Sequence, residues 1–441
     1  MSFIGKFTAA LTAGLLFALP LQAEIDIAEV ETESGVEAWL VEEHSIPIVA
    51  LELRFRGGAS LDAPGKRGAT NLMVGLLEEG AGDMDARAFA EEAEALAASF
   101  RFDVGDDAVS VSARFLKENQ DEALDLLRKA LTQPRFDQDA IDRVRAQIAS
   151  VIRSDAQDPD AIASMQFNER AFGDHPYGSR IEGTLDSLAA LEREDLVEAH
   201  EGALARDRVH VGAAGAITPE ELAGALDTLL ADLPQTGAAL PEDIDVSTEA
   251  GVTVVPFDVP QSVAVFGHDG LARDDPDFLA AYVLNEILGG GGFEARLMEE
   301  VREKRGLTYG VYSYLVPKDH AALYLGRVSS ANDRMAEAIE VIRDEWAKMA
   351  ETGVTEEELE SAKTYLTGAY PLRFDGNGQI ANILVGMQMD GLPASYVSER
   401  NDMIEAITLE DIQRVAARIL KPEALRFVVV GQPDDLEDAN Q

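Results

Sequence analysis

The stretch Leu191-Glu192-Arg193-Glu194-Asp195-Leu196-Val197-Glu198-Ala199, followed by Arg208-Val209-His210-Val211-Gly212-Ala213-Ala214-Gly215 and Thr218-Pro219-Glu220-Glu221-Leu222, is echoed at the end of the chain. There Ile407-Thr408-Leu409-Glu410-Asp411-Ile412-Gln413-Arg414-Val415 leads to Arg426-Phe427-Val428-Val429-Val430-Gly431 and Pro433-Asp434-Asp435-Leu436. Asp195 and Asp411 stand as far apart as Gly215 and Gly431, so two independent anchors share one offset. Upstream, residues 123–127 match 338–342 and residues 136–141 match 354–359 at nearly the same offset. A repeat of about 200 residues is the size of a domain, not of a solenoid unit.

Within each unit, alternating stretches such as Ile48-Val49-Ala50-Leu51-Glu52-Leu53-Arg54-Phe55 and Ala108-Val109-Ser110-Val111-Ser112-Ala113-Arg114-Phe115 have the period of half-buried strands. Residues 121–131 instead line Leu124, Leu127 and Leu131 along one side of a helix. Strands at the opening, helices in the middle and a short closing strand predict an α+β fold of two homologous duplicated domains. Each is expected to be a mainly antiparallel sheet with helices packed on one face. Periodicity fails across residues 233–251, where Pro234, Gly237 and Pro241 fall. The domains are therefore drawn at 24–240 and 251–441, with a linker at 241–250.

The chain of 441 residues is 46% hydrophobic, enough for two cores without disulfide or metal staples. Residues 1–23 carry a lone positive charge at Lys6, an apolar run from Ala9 to Leu19 and small Ala23, just before the acidic Glu24-Ile25-Asp26. That pattern is a secretory signal peptide cut after Ala23. The run is too short for a membrane anchor and no basic stop-transfer cluster follows it. Cysteine is absent, which excludes disulfides, thiolate metal sites and cysteine nucleophiles. The expected location is the periplasm. A net charge of −44 argues against a nucleic-acid partner, which requires a positive footprint. The acid excess reads first as a solubility device, and second as an acidic chamber for basic peptides.

The six histidines, His44, His175, His200, His210, His268 and His320, are never three or four residues apart. Neither H-E-x-x-H nor H-x-x-E-H occurs, so no helix offers two imidazoles and a carboxylate to one zinc ion. A G-x-S-x-G elbow is also missing. Gly289-Gly290-Gly291-Gly292 follows a helical stretch and not a strand, the wrong context for a phosphate cradle. The histidines, His175 and His268 included, read as satisfied loop or core residues.

The segment Phe293-Glu294-Ala295-Arg296-Leu297-Met298-Glu299-Glu300-Val301-Arg302-Glu303-Lys304-Arg305-Gly306-Leu307-Thr308-Tyr309-Gly310-Val311-Tyr312-Ser313 predicts a helix, a Gly306 cap and an alternating strand. Phe293, Leu297, Met298 and Val301 form its buried face. A guanidinium at Arg302 and a phenol at Tyr309 are donors suited to a peptide carbonyl that gains negative charge. The plainer reading makes them a surface arginine and a half-buried sheet tyrosine.

With this segment, and with Asn168-Glu169-Arg170-Ala171-Phe172-Gly173-Asp174-His175-Pro176-Tyr177-Gly178, the chain resembles the pitrilysin/insulinase-like M16 peptidases over nearly its whole length. The resemblance implies the M16/LuxS-like metallopeptidase-type fold. It also implies that Arg302 and Tyr309 contact substrate near the scissile bond. In active members an early helix carries H-x-x-E-H; laid on this chain, that motif falls on Asn71, Val74 and Gly75. An amide is a poor zinc ligand, valine exchanges no proton and glycine has no side chain. The family's third ligand, a glutamate, falls in residues 149–152, where no acid stands. Glu78 and Glu79 read as solvated acids, and the helix bearing the lost motif is expected to keep its period.

The pattern is similar to the split M16B-type members, in which two half-length chains form a clamshell. It implies no metal cofactor in this chain and a catalytic partner subunit bearing zinc on an intact H-x-x-E-H. Peptide is then the substrate, Arg302 and Tyr309 are supplied in trans, and a homodimer of the isolated chain is left open by the sequence. The alternative is a non-enzymatic peptide-binding or scaffold protein of the same fold.

Overall fold

The computed structural model describes residues 25–290, 292 and 294–436. The expected signal peptide and Phe293 lie outside the described residues. In chain order the first unit holds β1 (Ala28–Glu31), β2 (Glu37–Glu42), β3 (Ile48–Arg56), the short hairpin of β4 (Gly80–Ala81) and β5 (Met84–Asp85), β6 (Ser99–Val104), β7 (Ala108–Leu116) and β8 (Val209–Gly215). Its helices are α1 (Ala69–Val74), α2 (Ala86–Ala95), α3 (Gln120–Thr132), α4 (Gln138–Asp155), α5 (Pro159–Phe172), α6 (Leu185–Ala190), α7 (Arg193–Ala203) and α8 (Pro219–Leu230). The second unit holds β9 (Gly251–Pro256), β10 (Gln261–Asp269), β11 (Thr308–Pro317), β12 (Ala322–Ala331) and β13 (Arg426–Gly431). Its helices are α9 (Phe278–Gly289), α10 (Met335–Thr352), α11 (Glu356–Ala369), α12 (Asn377–Met389), α13 (Tyr396–Glu405) and α14 (Leu409–Ile419).

The two sheets repeat one topology. The first runs β1-β2-β8-β3-β7-β6 and the second β11-β12-β10-β13-β9, so β2, β8, β3, β7 and β6 correspond to β9, β13, β10, β12 and β11. β2 lies parallel to β8 as β9 does to β13. The other corresponding pairs are antiparallel. β1 is an extra edge strand of the first unit.

The anchors of the sequence repeat have local physical jobs. Asp195 accepts the Glu192 N–H at 2.8 Å and Asp411 accepts the Thr408 N–H at 3.0 Å, each closing the first turn of its helix, α7 or α14. Gly215 and Gly431 end β8 and β13 with φ of 132° and 152°. A Cβ there would stand 2.1 Å from the Ile48 carbonyl oxygen or 2.2 Å from Ser262 Oγ, so only glycine fits. The helix α8 that follows Gly215 has no counterpart among the described residues after Gly431.

Each unit's own helices cover one face of its sheet, and the opposite face receives a helix from the other unit. Alternation along the strands separates the two faces. Val49, Leu51, Leu53 and Phe55 of β3 pack with Leu72, Leu127, Ile141, Leu196 and Leu226 of the first unit's own helices, whereas Ala50 meets Ala381 of α12. On β13, Phe427 and Val429 join the core of the second unit, while Val428 and Val430 pack against Phe167 and Phe172 of α5. Burying each such aromatic contributes about 1.5–3 kcal/mol. The connecting segment, residues 234–250, has no helix or strand but is seated on the same interface. The Ile244 N–H donates to the His320 carbonyl at 2.9 Å and the Ser247 N–H to the Ala171 carbonyl at 3.0 Å.

The close approach of α12 depends on Gly212 in β8, where a Cβ would lie 2.3 Å from the Ala381 carbonyl oxygen and 2.9 Å from the Val385 nitrogen. Both obstacles are backbone and cannot swing aside. Gly212→Val is expected to destabilise the protein by about 1–3 kcal/mol by lifting α12 from the sheet. Chemical denaturation of the two proteins measures it, and an unchanged midpoint would contradict the close-packing argument.

Several titratable groups set the pH response. Burial holds His200 and His268 below the usual imidazole range, and burial with the neighbouring Arg56 brings His210 to about 4. These rings stay neutral in the fold, whereas in the unfolded chain they take up protons as the pH falls below the ordinary imidazole value of 6.5. Glu358 is raised by burial but pulled down more by Arg296 and Thr355, to about 2 from 4.5. Its contribution is complete above pH 4.5 and is lost as the pH falls through 2. Stability should therefore be flat just above neutrality and fall in two stages, first below pH 6.5 and again below pH 4.5. Glu358→Gln should remove part of the second stage while leaving the first, as followed by denaturant midpoints across pH.

Candidate functional site

The residues that replace the zinc motif sit in and just after α1, whose entry is fixed by Asp62. The Asp62 carboxylate accepts the Gly68 and Thr70 N–H groups at 2.8 Å each and the Thr70 hydroxyl at 2.7 Å, with Arg67 at 3.6 Å. Burial outweighs these bonds and raises its carboxyl above the usual range. The helix itself is shorter than its periodicity predicts: it stops at Val74, and residues 75–79 form turns. Leu76, Leu77 and Glu79 donate three residues back, to Met73, Val74 and Leu76. Leu76 and Leu77 are nevertheless buried, so turns satisfy the spacing that reads as helix.

Of these positions Val74 is taken over by core packing, whereas Gly75 is exposed. Asn71 is half-buried and its carbonyl accepts the Gly75 N–H at 3.2 Å. Val74 is 3% exposed in the first unit's core, where a carboxylate has no water. A Cβ on Gly75 would come within 3.0 Å of Val144 Cγ1 on α4. Residues 149–152 also lie on α4, with Val151 exposed. Glu79 is not a solvated acid, as read from sequence, but ion-pairs with Arg143 of α4. Among the described residues no group of three or more His, Cys, Asp or Glu is gathered to hold a metal ion. The residues present do not fit zinc.

The other candidate pair lies in the second unit, in a separate core. Leu297, Met298 and Val301 bury one face of the turn before Arg302, as the sequence predicts. The winding from Met298–Glu303 is π-helical, with the Lys304 N–H bonded to the Glu299 carbonyl at 2.9 Å. Gly306, at φ 64°, ends it: its N–H reaches the Arg302 carbonyl at 2.8 Å and the Leu307 N–H reaches Val301 at 2.9 Å. Glu300 engages Lys304 at 2.7 Å and Arg305 at 2.6 Å. The Arg302 Nε stands 3.6 Å from the Glu303 carboxylate, with its side chain 32% exposed.

Tyr309 does not lie half-buried in the sheet; it is 84% exposed. Its strand β11 is the edge of the second sheet and shifts register between Thr308 and Val311. Thr308 faces Ser330 and Val311 faces Val328, so Tyr309 and Gly310 together oppose Ser329. This is a β-bulge, which redirects a side chain away from the pleat. Thr308 pins it, its hydroxyl accepting the Gly310 N–H at 3.0 Å and donating to the Ser329 carbonyl.

One positioning contact lies beyond any sequence period. Arg296 clasps Glu358 of α11 with two bonds, 2.5 and 2.8 Å long, and reaches the Gly353 carbonyl at 3.1 Å. This bidentate pair fixes the Arg302 turn on the start of α11. Glu358 also closes the capping box with Thr355 at the start of α11. His200 and His268 are occupied structurally: His200 Nε2 lies 2.7 Å from the Leu131 carbonyl, and His268 accepts the Trp346 indole N–H at 3.1 Å. Gly289 ends α9 and Gly290 caps it, so the glycine run follows a helix and not a strand. Buried Tyr177 bonds Asp107 through its hydroxyl and accepts the His320 N–H at 3.2 Å, which ties the two units together.

Comparison with known proteins agrees with this architecture. Residues 38–185 match the family described as insulinase (peptidase family M16), and residues 190–366 match the peptidase M16 inactive domain. The chain belongs to the M16 peptidase family, as a member whose own zinc-binding positions are lost. It is similar to the Helicobacter pylori non-peptidase homolog YmxG, 26% identical over 96% of this chain and 98% of that protein. It is also similar to the solved peptidase M16 inactive domain from Pseudomonas fluorescens, with 28% identity, a TM-score of 0.88, and 93% and 99% of the two chains covered. A chain of complex III2 from Candida albicans shares the fold at a TM-score of 0.75 and 15% identity, over 94% of this chain and 98% of that one.

Restoring the motif letters should not restore the metal. Asn71→His, Val74→Glu and Gly75→His together are expected to lower the melting temperature and leave the protein without stoichiometric zinc after dialysis, because position 74 is buried in the apolar core and a Cβ at position 75 comes within 3.0 Å of Val144 Cγ1. Tight one-to-one zinc in that triple variant would show the pocket to be intact.

Proposed function

We propose that this chain is the non-metal subunit of a periplasmic M16-type zinc peptidase. In this reading it supplies Arg302 and Tyr309 to substrate held at the zinc of a partner subunit with an intact H-x-x-E-H. The observation that carries the reading is the bulge at Tyr309, which turns a large phenol 84% out of the protein at a sheet edge, shortly after a clasped turn bearing Arg302. A merely structural tyrosine gains nothing from such exposure. A guanidinium and a phenol presented on rigid supports are donors for a carbonyl oxygen as it becomes an oxyanion. The filled α1 pocket supports the other half of the reading, that water activation belongs to another polypeptide. The leader-like residues 1–23 support export.

The mixed complex should cleave peptides while this chain alone does not, and the mature chain should begin at Glu24. Arg302→Ala with Tyr309→Phe should lower turnover by the mixed complex about a hundredfold without dissociating it. Steady-state peptide hydrolysis with co-sedimentation measures both, and undiminished turnover in the double variant would reject the role. A second reading, peptide capture or scaffolding without cleavage, is favoured by the name of the Helicobacter pylori relative, non-peptidase homolog. It requires that no combination with a zinc-bearing partner hydrolyse peptide.

A further inference from the structure

A cavity of about 490 Å³ opens where the two units meet. Its walls come from α9, the far end of β11, α12 and α13, with Arg54 of β3 reaching in from the first unit. Its size lies within the range of about 300–1,000 Å³ typical of small-ligand pockets. Tyr314, on this wall, is about 17 Å along β11 from Tyr309 at 3.4 Å per residue, so the cavity is separate from the Arg302 and Tyr309 surface.

The sign of its charge is opposite to that of the protein. The chain carries 81 acidic and 37 basic residues, yet four arginines, Arg54, Arg273, Arg373 and Arg400, line this space with the single carboxylate Asp390. Asp390 is already engaged by Arg273 at 2.9 Å. Among the described residues no carboxylate stands at ion-pair distance from Arg54, Arg373 or Arg400.

Arg400 is 5% exposed. Only its Nη1 finds acceptors, the Leu366 carbonyl and Asn401 Oδ1, both at 3.3 Å, while its plane lies over the Tyr370 ring at 4.3 Å. Arg54 gives one hydrogen bond, to Asn382 Oδ1 at 2.7 Å, and its Nε is buried without a partner. Arg400 is thus removed from water with no carboxylate beside it, a cost that is offset when an anion enters; Arg54 is half-buried and attracted by Glu52 of its own strand, and Arg373 is exposed. Tyr282, Tyr370 and Tyr396 add flat apolar wall at the same place.

We propose that this cavity binds a carboxylate-bearing ligand with an aromatic or apolar body, of the size of a small organic acid or a tripeptide. The carboxylate is held by Arg54, Arg373 and Arg400, and the body lies against the tyrosines. The inference does not rest on the trans-acting role of Arg302 and Tyr309.

Titration calorimetry on the full mature chain tests it with three probes: alanyl-alanyl-tyrosine, its C-terminal amide, and hydroxyphenylpropionate. At least one free acid should bind at a single site, and the amide should bind about tenfold or more weakly than its parent acid. Binding by the peptide acid alone assigns a peptide C-terminus as the source, and binding by hydroxyphenylpropionate as well assigns the free acid group. Arg373→Gln, at an exposed position, and Arg54→Gln should each weaken binding about tenfold with an unchanged melting temperature. Absence of binding by both acids, equal binding of the amide, or full affinity in both arginine variants would overturn the assignment.

Discussion

The seating of α5 on the sheet of the second unit, and of α12 on the sheet of the first, makes one body of two duplicated halves. A two-sided sheet with helices on only one face leaves its other face to water, and here Val428, Val430 and Leu323 would bear that cost. Exchange solves the problem twice with the same element, because α5 and α12 follow the same helices of the repeated topology. The linker reinforces the arrangement by bonding to both sides, at Ala171 and His320. The division of the chain in sequence is thus not its division in space.

The positions where the family's metal ligands would fall lie in the first of these units. α1 still lies beneath α4 in the core of the first unit, but Val74, Gly75 and Val144 now serve close packing and Glu79 serves an ion pair. The result is an ordinary helix junction, with α1 ending at Val74 and Gly75 as its cap. The second unit is less regular. It retains a π-wound turn, a glycine cap, a buried bidentate clasp from Arg296 to Glu358 and a bulge that throws Tyr309 outward. Irregular backbone of this kind is costly to keep, and it persists where a side chain must be aimed.

Charge is distributed with the same selectivity. The acid surplus is spread through helix starts and surface pairs, where it caps helices and engages arginines such as Arg414 and Arg418 at Asp275 and Asp277. The cavity between the units is the reverse, with four arginines to one carboxylate. Burial keeps His200, His210 and His268 neutral, and the rings of His200 and His268 serve local bonds.

Repetition and periodicity are local or pairwise properties of a string, and they determined the duplicated α+β units, the buried faces of helices such as α3 and the strand β3, and the glycine cap at Gly306. The loss of the zinc motif was equally plain, because a metal site needs particular side chains and Asn71, Val74 and Gly75 do not carry them. Tertiary structure alone decided which sheet α5 and α12 would cover, that α1 would end at Val74, that Tyr309 would leave the sheet, and that Arg296 would find Glu358. Each of these depends on the backbone position or register of chain distant in sequence. A residue's own identity constrains its period and its chemistry, but its partners are set by where the remainder of the fold puts them.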